Sequence, residues 1–185
     1  MKKNTSNQGQ APLDIIRYRK TKAIGRNYTY DLVEKIFLLG IFMIIILNFV
    51  FGIKIVDQDD MYPRISPMDL SVYYRLDRDF NSSEVVIFNK NDKDYLARVI
   101  AKGGDKVDLK EEGLYINGSL QAESNIFYQT GIYDEGIRFP INLKHGEYFL
   151  LGDNRRSAHD SRLFGPIKEK EIKGKIFTII RRTQF

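Results

Sequence analysis

Apolar residues along this chain fall into two regimes. From Ile36 to Ile53 they form one run of 18 residues, with Asn48 as the clearly polar member and Lys35 and Lys54 at its flanks. That length is at the short end of the roughly 17–25 residues needed to cross a bilayer, and backbone groups in lipid must bond within their own segment. The run predicts a membrane-spanning helix over 36–54, extendable to Val56. Beyond Val56 the apolar runs are short and separated by turn residues. Strands are predicted at Leu70–Leu76, Glu84–Asn89, Tyr95–Ile100, Lys106–Leu109, Gly113–Ile116, Glu147–Leu151 and Ile176–Arg181. Asn117-Gly118 marks a hairpin turn. Ser124 to Asn142 lacks regular patterning and reads as a long loop or small insertion. With no long amphipathic helix in this part, a mostly antiparallel β domain over 55–185 follows.

Residues 1–35 are neither apolar nor alternating. Met1 to Pro12 is polar and expected to be disordered. Leu13 to Lys35 mixes five further Arg and Lys before Lys35 with Ile and Tyr but shows no clean helical stripe. A flexible basic tail is expected there in preference to an interfacial helix. Charge sharpens the division. Residues 1–35 hold eight Lys/Arg against three Asp/Glu, whereas 36–185 hold 21 against 21, so the net +5 sits in the arm. A neutral folded part argues against nucleic acid as a partner. A basic arm before an apolar run follows the positive-inside rule, which puts residues 1–35 in the cytoplasm and 55–185 outside. The 35-residue arm and the lack of a small-x-small cleavage pattern favour an uncleaved signal anchor in contact with membrane lipid. With no Cys in the chain, disulfides and cysteine-based zinc sites are excluded.

The densest chemistry lies at Gly152-Asp153-Asn154-Arg155-Arg156-Ser157-Ala158-His159-Asp160-Ser161-Arg162-Leu163-Phe164-Gly165. Read as GDN…DSRxFG, it resembles the last signature block of the bacterial type I signal peptidases. Three further blocks line up in that family's order. Asp60-Met61-Tyr62-Pro63 is similar to Ser-Met-x-Pro, and Glu84-Val85-Val86-Ile87-Phe88 to Gly-Asp-x-Val. Ala97-Arg98-Val99-Ile100-Ala101-Lys102-Gly103-Gly104-Asp105-Lys106-Val107 resembles Lys-Arg-Val-Ile-Gly-x-Pro-Gly-Asp-x-Val. The resemblance implies a membrane-anchored member of a serine-protease family that uses a Ser–Lys dyad, with the signal-peptidase type of antiparallel β domain.

The dyad itself is replaced. Asp60 stands at the nucleophile position that the resemblance assigns, and Ala97 at the position of the general-base lysine. Ala158 replaces the serine that orients that lysine, with Ser157 one place early. Gln58 stands where some members offer a hydroxyl to the oxyanion. A serine hydroxyl needs a neighbouring base, here a neutral lysine, to take its proton. Ala97 has no titratable atom, and a carboxylate attacks amides poorly. An aspartic-protease arrangement would need a second acid sharing a proton with Asp60, and none is singled out. Ser66-Pro67-Met68 echoes the lost motif at the wrong spacing, and Lys102 lies five residues past Ala97. His145 and His159 lack a metal-ligand spacing. No catalytic residue, metal or cofactor is expected.

What remains is a scaffold. Family members hold substrate as an extended strand, which needs backbone hydrogen bonds and pockets but no nucleophile. Asp60, Met61, Pro63 and Arg98 are assigned to the cleft, with Arg98 a candidate partner for Asp60 although alternation should turn it to the opposite strand face. Asp153, Arg155, Asp160 and Arg162 are expected to brace its wall through charge-assisted hydrogen bonds or to serve the fold alone. Signal-peptidase-like proteins of Gram-positive bacteria without the dyad act beside sortases in pilus assembly. The resemblance therefore implies a non-catalytic binder of a pilin or other secreted precursor, with a sortase as a further partner. The alternatives are an active signal peptidase with an unrecognised dyad, and a regulator that pairs with an active paralogue.

Overall fold

The computed structural model describes residues 10–123 and 126–182 and divides them into two units, residues 1–48 and 49–185. Helix α1 spans Gln10–Val50, 41 residues, and supplies the described residues of the first unit. Its segment Tyr28–Val50 is the one helix among the described residues long and apolar enough to cross a membrane. At 1.5 Å per residue its 23 residues extend about 34 Å, enough for a hydrocarbon core of about 30 Å. The polar Asn48 does not interrupt it, because its amide donates to the Ile44 carbonyl at 2.9 Å, one turn back.

Two expectations are corrected here. Residues 13–35 are helical rather than a flexible tail, and so are the described residues of the polar stretch 1–12; residues 1–9 lie outside the description. Nucleation is the expensive step of helix formation, and extending an existing helix adds one hydrogen bond per residue fixed. Pro12 falls in the first turn, where its missing N–H is not needed. At the other end the helix stops at Val50, short of 54. Phe51–Ile55 form β1, pairing antiparallel with β2 (Leu70–Tyr74) from Phe51↔Tyr74 to Ile55↔Leu70. Aromatic and β-branched residues with a partner strand available favour the sheet.

The second unit is mostly antiparallel β, as the pattern predicts. Strands β3 (Val85–Lys90), β4 (Lys93–Lys102), β9 (Glu147–Leu151) and β11 (Ile172–Ile180) align with predicted runs. Together with β1, β2 and the short β10 (Ile167–Lys168) they form a seven-stranded sheet ordered β1-β2-β11-β3-β4-β9-β10. A smaller sheet, β7-β6-β5-β8, holds β5 (Lys106–Lys110), β6 (Gly113–Ile116), β7 (Ser119–Leu120) and β8 (Ile141–Asn142). The predicted hairpin is present: Ile116 pairs with Ser119, and Asn117 and Gly118 both take positive φ, 53° and 83°. Val107, Leu109, Leu114 and Leu143 of this region pack on Ala101, Phe149 and Leu151. A second cluster, with Phe80, Val86, Phe88, Ala97, Val99, Leu150 and Ile172, fills the centre of the large sheet.

β4 changes company along its length. Arg98–Lys102 pairs with β3 or its approach on one side and β9 on the other. Lys93–Ala97 pairs with β3, while the register with β9 begins only at Arg98↔Leu151. Among the described residues, the first half of β4 thus has a strand partner on one side only, which leaves its other backbone edge unpaired by any strand.

Candidate functional site

Asp60 opens a tight turn after β1. Tyr62 N–H donates to the Asp59 carbonyl at 2.9 Å and Ile65 N–H to the Met61 carbonyl at 3.1 Å. Met61, fully buried with Val56, Ile65, Ile87 and Leu96, pins the turn to the sheet, while Pro63 stays exposed. The segment after β9 clamps it from the other side. Asn154 N–H donates to the Asp60 carbonyl at 2.9 Å, and the Asn154 amide reaches the Asp59 carbonyl at 3.2 Å and Ser157 Oγ at 3.0 Å. Gly152 makes the approach possible. A Cβ there would lie 2.3 Å from Ala158 Cβ and 2.5 Å from the Asp60 carbonyl oxygen.

The Asp60 side chain is 2% exposed. Its Oδ1 accepts from His159 N–H at 2.9 Å and lies 3.1 Å from His159 Nδ1. Its Oδ2 is buried with no hydrogen-bond partner among the described residues. Burial pushes this carboxyl above its ordinary range, against the hydrogen bonds and charge of His159, which pull the other way. The His159 side chain is half exposed, and its ring stacks on Tyr95 with centroids 5.5 Å apart. Tyr95 belongs to the open half of β4. Burial, then the charge of Asp60, raises its phenol above the usual value.

Ala97 is two residues further along the same face of β4 and completely buried among Phe88, Val99 and Leu150. Ala158 is buried too, and its carbonyl accepts from Tyr133 Oη at 3.0 Å. Gln58 is half-buried. Arg98 turns to the face opposite Ala97, so it does not serve Asp60. It grips Asp153 through Nε at 2.9 Å and Nη2 at 2.5 Å and donates to the Ser83 carbonyl at 2.7 Å.

Asp153, Arg155, Asp160 and Arg162 are all buried and each makes charge-assisted hydrogen bonds. Asp160 caps the short α2 (Ser161–Phe164) and holds Arg162 through its backbone N–H at 3.0 Å and Nη2 at 2.8 Å, both side chains fully buried. Gly152 N–H adds a bond at 3.1 Å. Arg162 also donates to the Arg155 carbonyl at 2.7 Å and to Tyr133 Oη at 2.6 Å. Burial, then the Asp160 charge, pushes the Tyr133 phenol to about 12. Arg155 pairs with Glu123 and Thr130 rather than with an acid of its own segment. Sequence reading missed Glu123, Thr130, Tyr133 and, at the centre, His159. Short-range motifs carry no signal for contacts between residues 99 positions apart, as Asp60 and His159 are.

The other serine and cations singled out lie elsewhere. Ser66 N–H closes a turn on Asp69 at 2.9 Å, and Lys102 Nζ reaches Asp79 at 3.4 Å. His145 lines a separate cleft with Arg78 and Lys102. A cavity of about 210 Å³ between Ile100 on β4 and Leu114 and Ile116 on β6 is lined by Arg98 and Arg155 and does not include Asp60. At Asp60 the described residues bring together a carboxylate, an imidazole and a phenol beside the half of β4 that β9 leaves unpaired.

Known proteins resemble this chain over most of its length. The family described as "Signal peptidase, peptidase S26" matches residues 29–181. Signal peptidase I S of Bacillus subtilis is 32% identical over 142 residues, 71% of this chain and 77% of the relative. Signal peptidase I of Bacillus amyloliquefaciens is 28% identical over 169 residues, covering 86% and 91%. Signal peptidase IB of Staphylococcus aureus reaches 41% over 109 residues, 50% of this chain and 56% of that protein. Among solved structures, a signal peptidase I from Enterococcus faecalis matches at 25% identity and a TM-score of 0.43, over 54% of this chain and 97% of that one.

Proposed function

The chain belongs to the signal peptidase S26 family, and from that premise we propose that it holds an extended secreted polypeptide without cutting it. One observation carries this reading. Where the family motif calls for a hydroxyl there is the buried Asp60, and where it calls for an amine there is Ala97, packed at 0% exposure among apolar side chains. Removing one member of a nucleophilic unit costs about as much activity as removing all of them. The retained parts support holding. The Lys93–Ala97 half of β4 offers an edge to which a strand can add, and backbone hydrogen bonds along an edge give affinity without chemistry.

In this reading the basic arm stays in the cytoplasm, α1 anchors the protein, and the β domain faces the exterior. The ligand is a pilin or another secreted precursor, and a sortase acts next to it. In a deletion strain, pilus polymers are lost while bulk secretion continues. Normal pilus assembly in that strain removes the pilus part of the proposal.

A second reading is favoured by the relatives, which carry the name signal peptidase I. Under it the chain cleaves signal peptides with a different arrangement, Asp60 included. Incubation of the purified protein with a preprotein bearing an Ala-x-Ala site separates the two. Non-cutting predicts intact preprotein and no acyl-enzyme by mass spectrometry. Cleavage that disappears in Asp60→Ala makes Asp60 catalytic.

A further inference from the structure

The geometry points to a cation subsite at Asp60: its free carboxylate oxygen accepts a primary ammonium, a lysine side chain or an α-amino terminus, of the polypeptide held along β4. The inference rests on the peptide-holding reading and narrows it to a ligand chemistry.

The two oxygens of Asp60 are not equivalent. Oδ1 is taken by His159, through the backbone N–H at 2.9 Å and ring Nδ1 at 3.1 Å. Oδ2 is buried and lacks a partner among the described residues. A buried acceptor left without a donor is costly, and such atoms are rare in folded proteins. The neighbouring acids are provided for. Lys54 bonds Asp57 at 3.1 Å, the Asn154 amide bonds Asp59 at 3.2 Å, and Lys173 bonds Asp94 at 2.7 Å. Among these four carboxyl groups, Asp60 Oδ2 is the oxygen of a fully buried side chain still without a donor. The charge of neighbouring Asp59 acts on Asp60 in the same sense as burial and favours a cation beside it.

Shape selects among cations. With Oδ1 already occupied, the carboxylate presents a single acceptor. A guanidinium binds best as a two-pronged fork, whereas an ammonium is a compact point charge on a thin stem. The subsite therefore suits lysine over arginine. His159 is the half-exposed group touching the carboxylate, and its ring is held by stacking on Tyr95 rather than by packing on all sides. The inference requires this half-exposed ring to move aside when the ammonium binds.

The test uses the full chain in detergent micelles and fluorescein-labelled, N-acetylated Ala/Val-rich decapeptides. One lysine is placed at successive positions, and matched sets carry norleucine or arginine there. A further norleucine set has a free N-terminus. Fluorescence anisotropy is expected to show one lysine position binding about 10- to 100-fold more tightly than norleucine, the range for a hydrogen bond to a charged group. Arginine falls between them. The preference disappears in Asp60→Asn, whose fold is checked by circular dichroism. Tight binding by the free-amine norleucine peptides instead assigns the subsite to a chain terminus. Peptides that bind with no preference for any ammonium, or a preference that persists in Asp60→Asn, overturn the subsite and leave the holding reading intact. No binding by any peptide overturns both.

Discussion

Asp60 is a carboxylate in a place that does not favour charge, and this has a consequence for stability. Burial raises its folded-state pKa above the ordinary value of 3.8, so the native state holds its proton more tightly than the unfolded chain. Stability from this group is fully present below the unfolded pKa and is lost as pH rises through the raised folded value. Asp60→Asn removes the titration but keeps an acceptor for His159 N–H. The variant is expected to gain stability at neutral pH and to lose the part of the pH dependence that begins near pH 4, measured by urea unfolding across pH 3–8. Arg162 gives the opposite case. Its guanidinium and the Asp160 carboxylate are both fully buried and paired at 2.8 Å. Arg162→Met strands the acid, and a loss of about 3–5 kcal/mol is expected in the same measurement. The residue types at 60, 97 and 158, on which the proposed non-cutting role rests, are read from aligned motifs, each as a residue type at a fixed spacing. That His159 would supply the contact to Asp60 was not legible, since it depends on how two distant turns meet.

At the scale of elements, the hydrophobic pattern located the long strands because their apolar runs have clear ends. It missed β8 and β10, two residues each, which exist only because a neighbour pairs with them. It also placed the helix end too late, since Phe51–Ile55 reads equally well as lipid-facing helix or strand until β2 is considered. The turn from β9 into α2 is the element on which the site depends. Gly152 lets that turn lie against Asp60, and Ala158 fills the space opposite. Gly152→Ala forces a carbon to within 2.3 Å of Ala158 Cβ, so the turn must shift. The expected cost is about 1–3 kcal/mol, with weaker peptide binding as the Asp60 turn is displaced. Adding Ala158→Gly makes room and should recover part of the melting temperature. Failure of the second change to rescue the first would mean that the Asp60 carbonyl, not Ala158, is the obstacle.

For the whole molecule, the proposed non-cutting role is tested by placing the family's Ser and Lys at positions 60 and 97. Restoring them is a demanding test. Asp60→Ser with Ala97→Lys puts the hydroxyl and the amine back at the two family positions. The new lysine must enter a site now filled at 0% exposure among Phe88, Val99 and Leu150. Desolvation there would help keep it neutral, as a general base requires, but the added methylenes overpack the core. Ala158 has no hydroxyl to orient the amine, and His159 keeps its place against Tyr95. The double variant is therefore expected to cleave an Ala-x-Ala preprotein no faster than the parent chain. Adding Ala158→Ser and His159→Ala supplies the orienting hydroxyl and clears the ring, and activity should first emerge in that fourfold variant. If cleavage is already robust with two changes, orientation by residue 158 is dispensable and the barrier between holder and peptidase in this chain is only the two missing side chains.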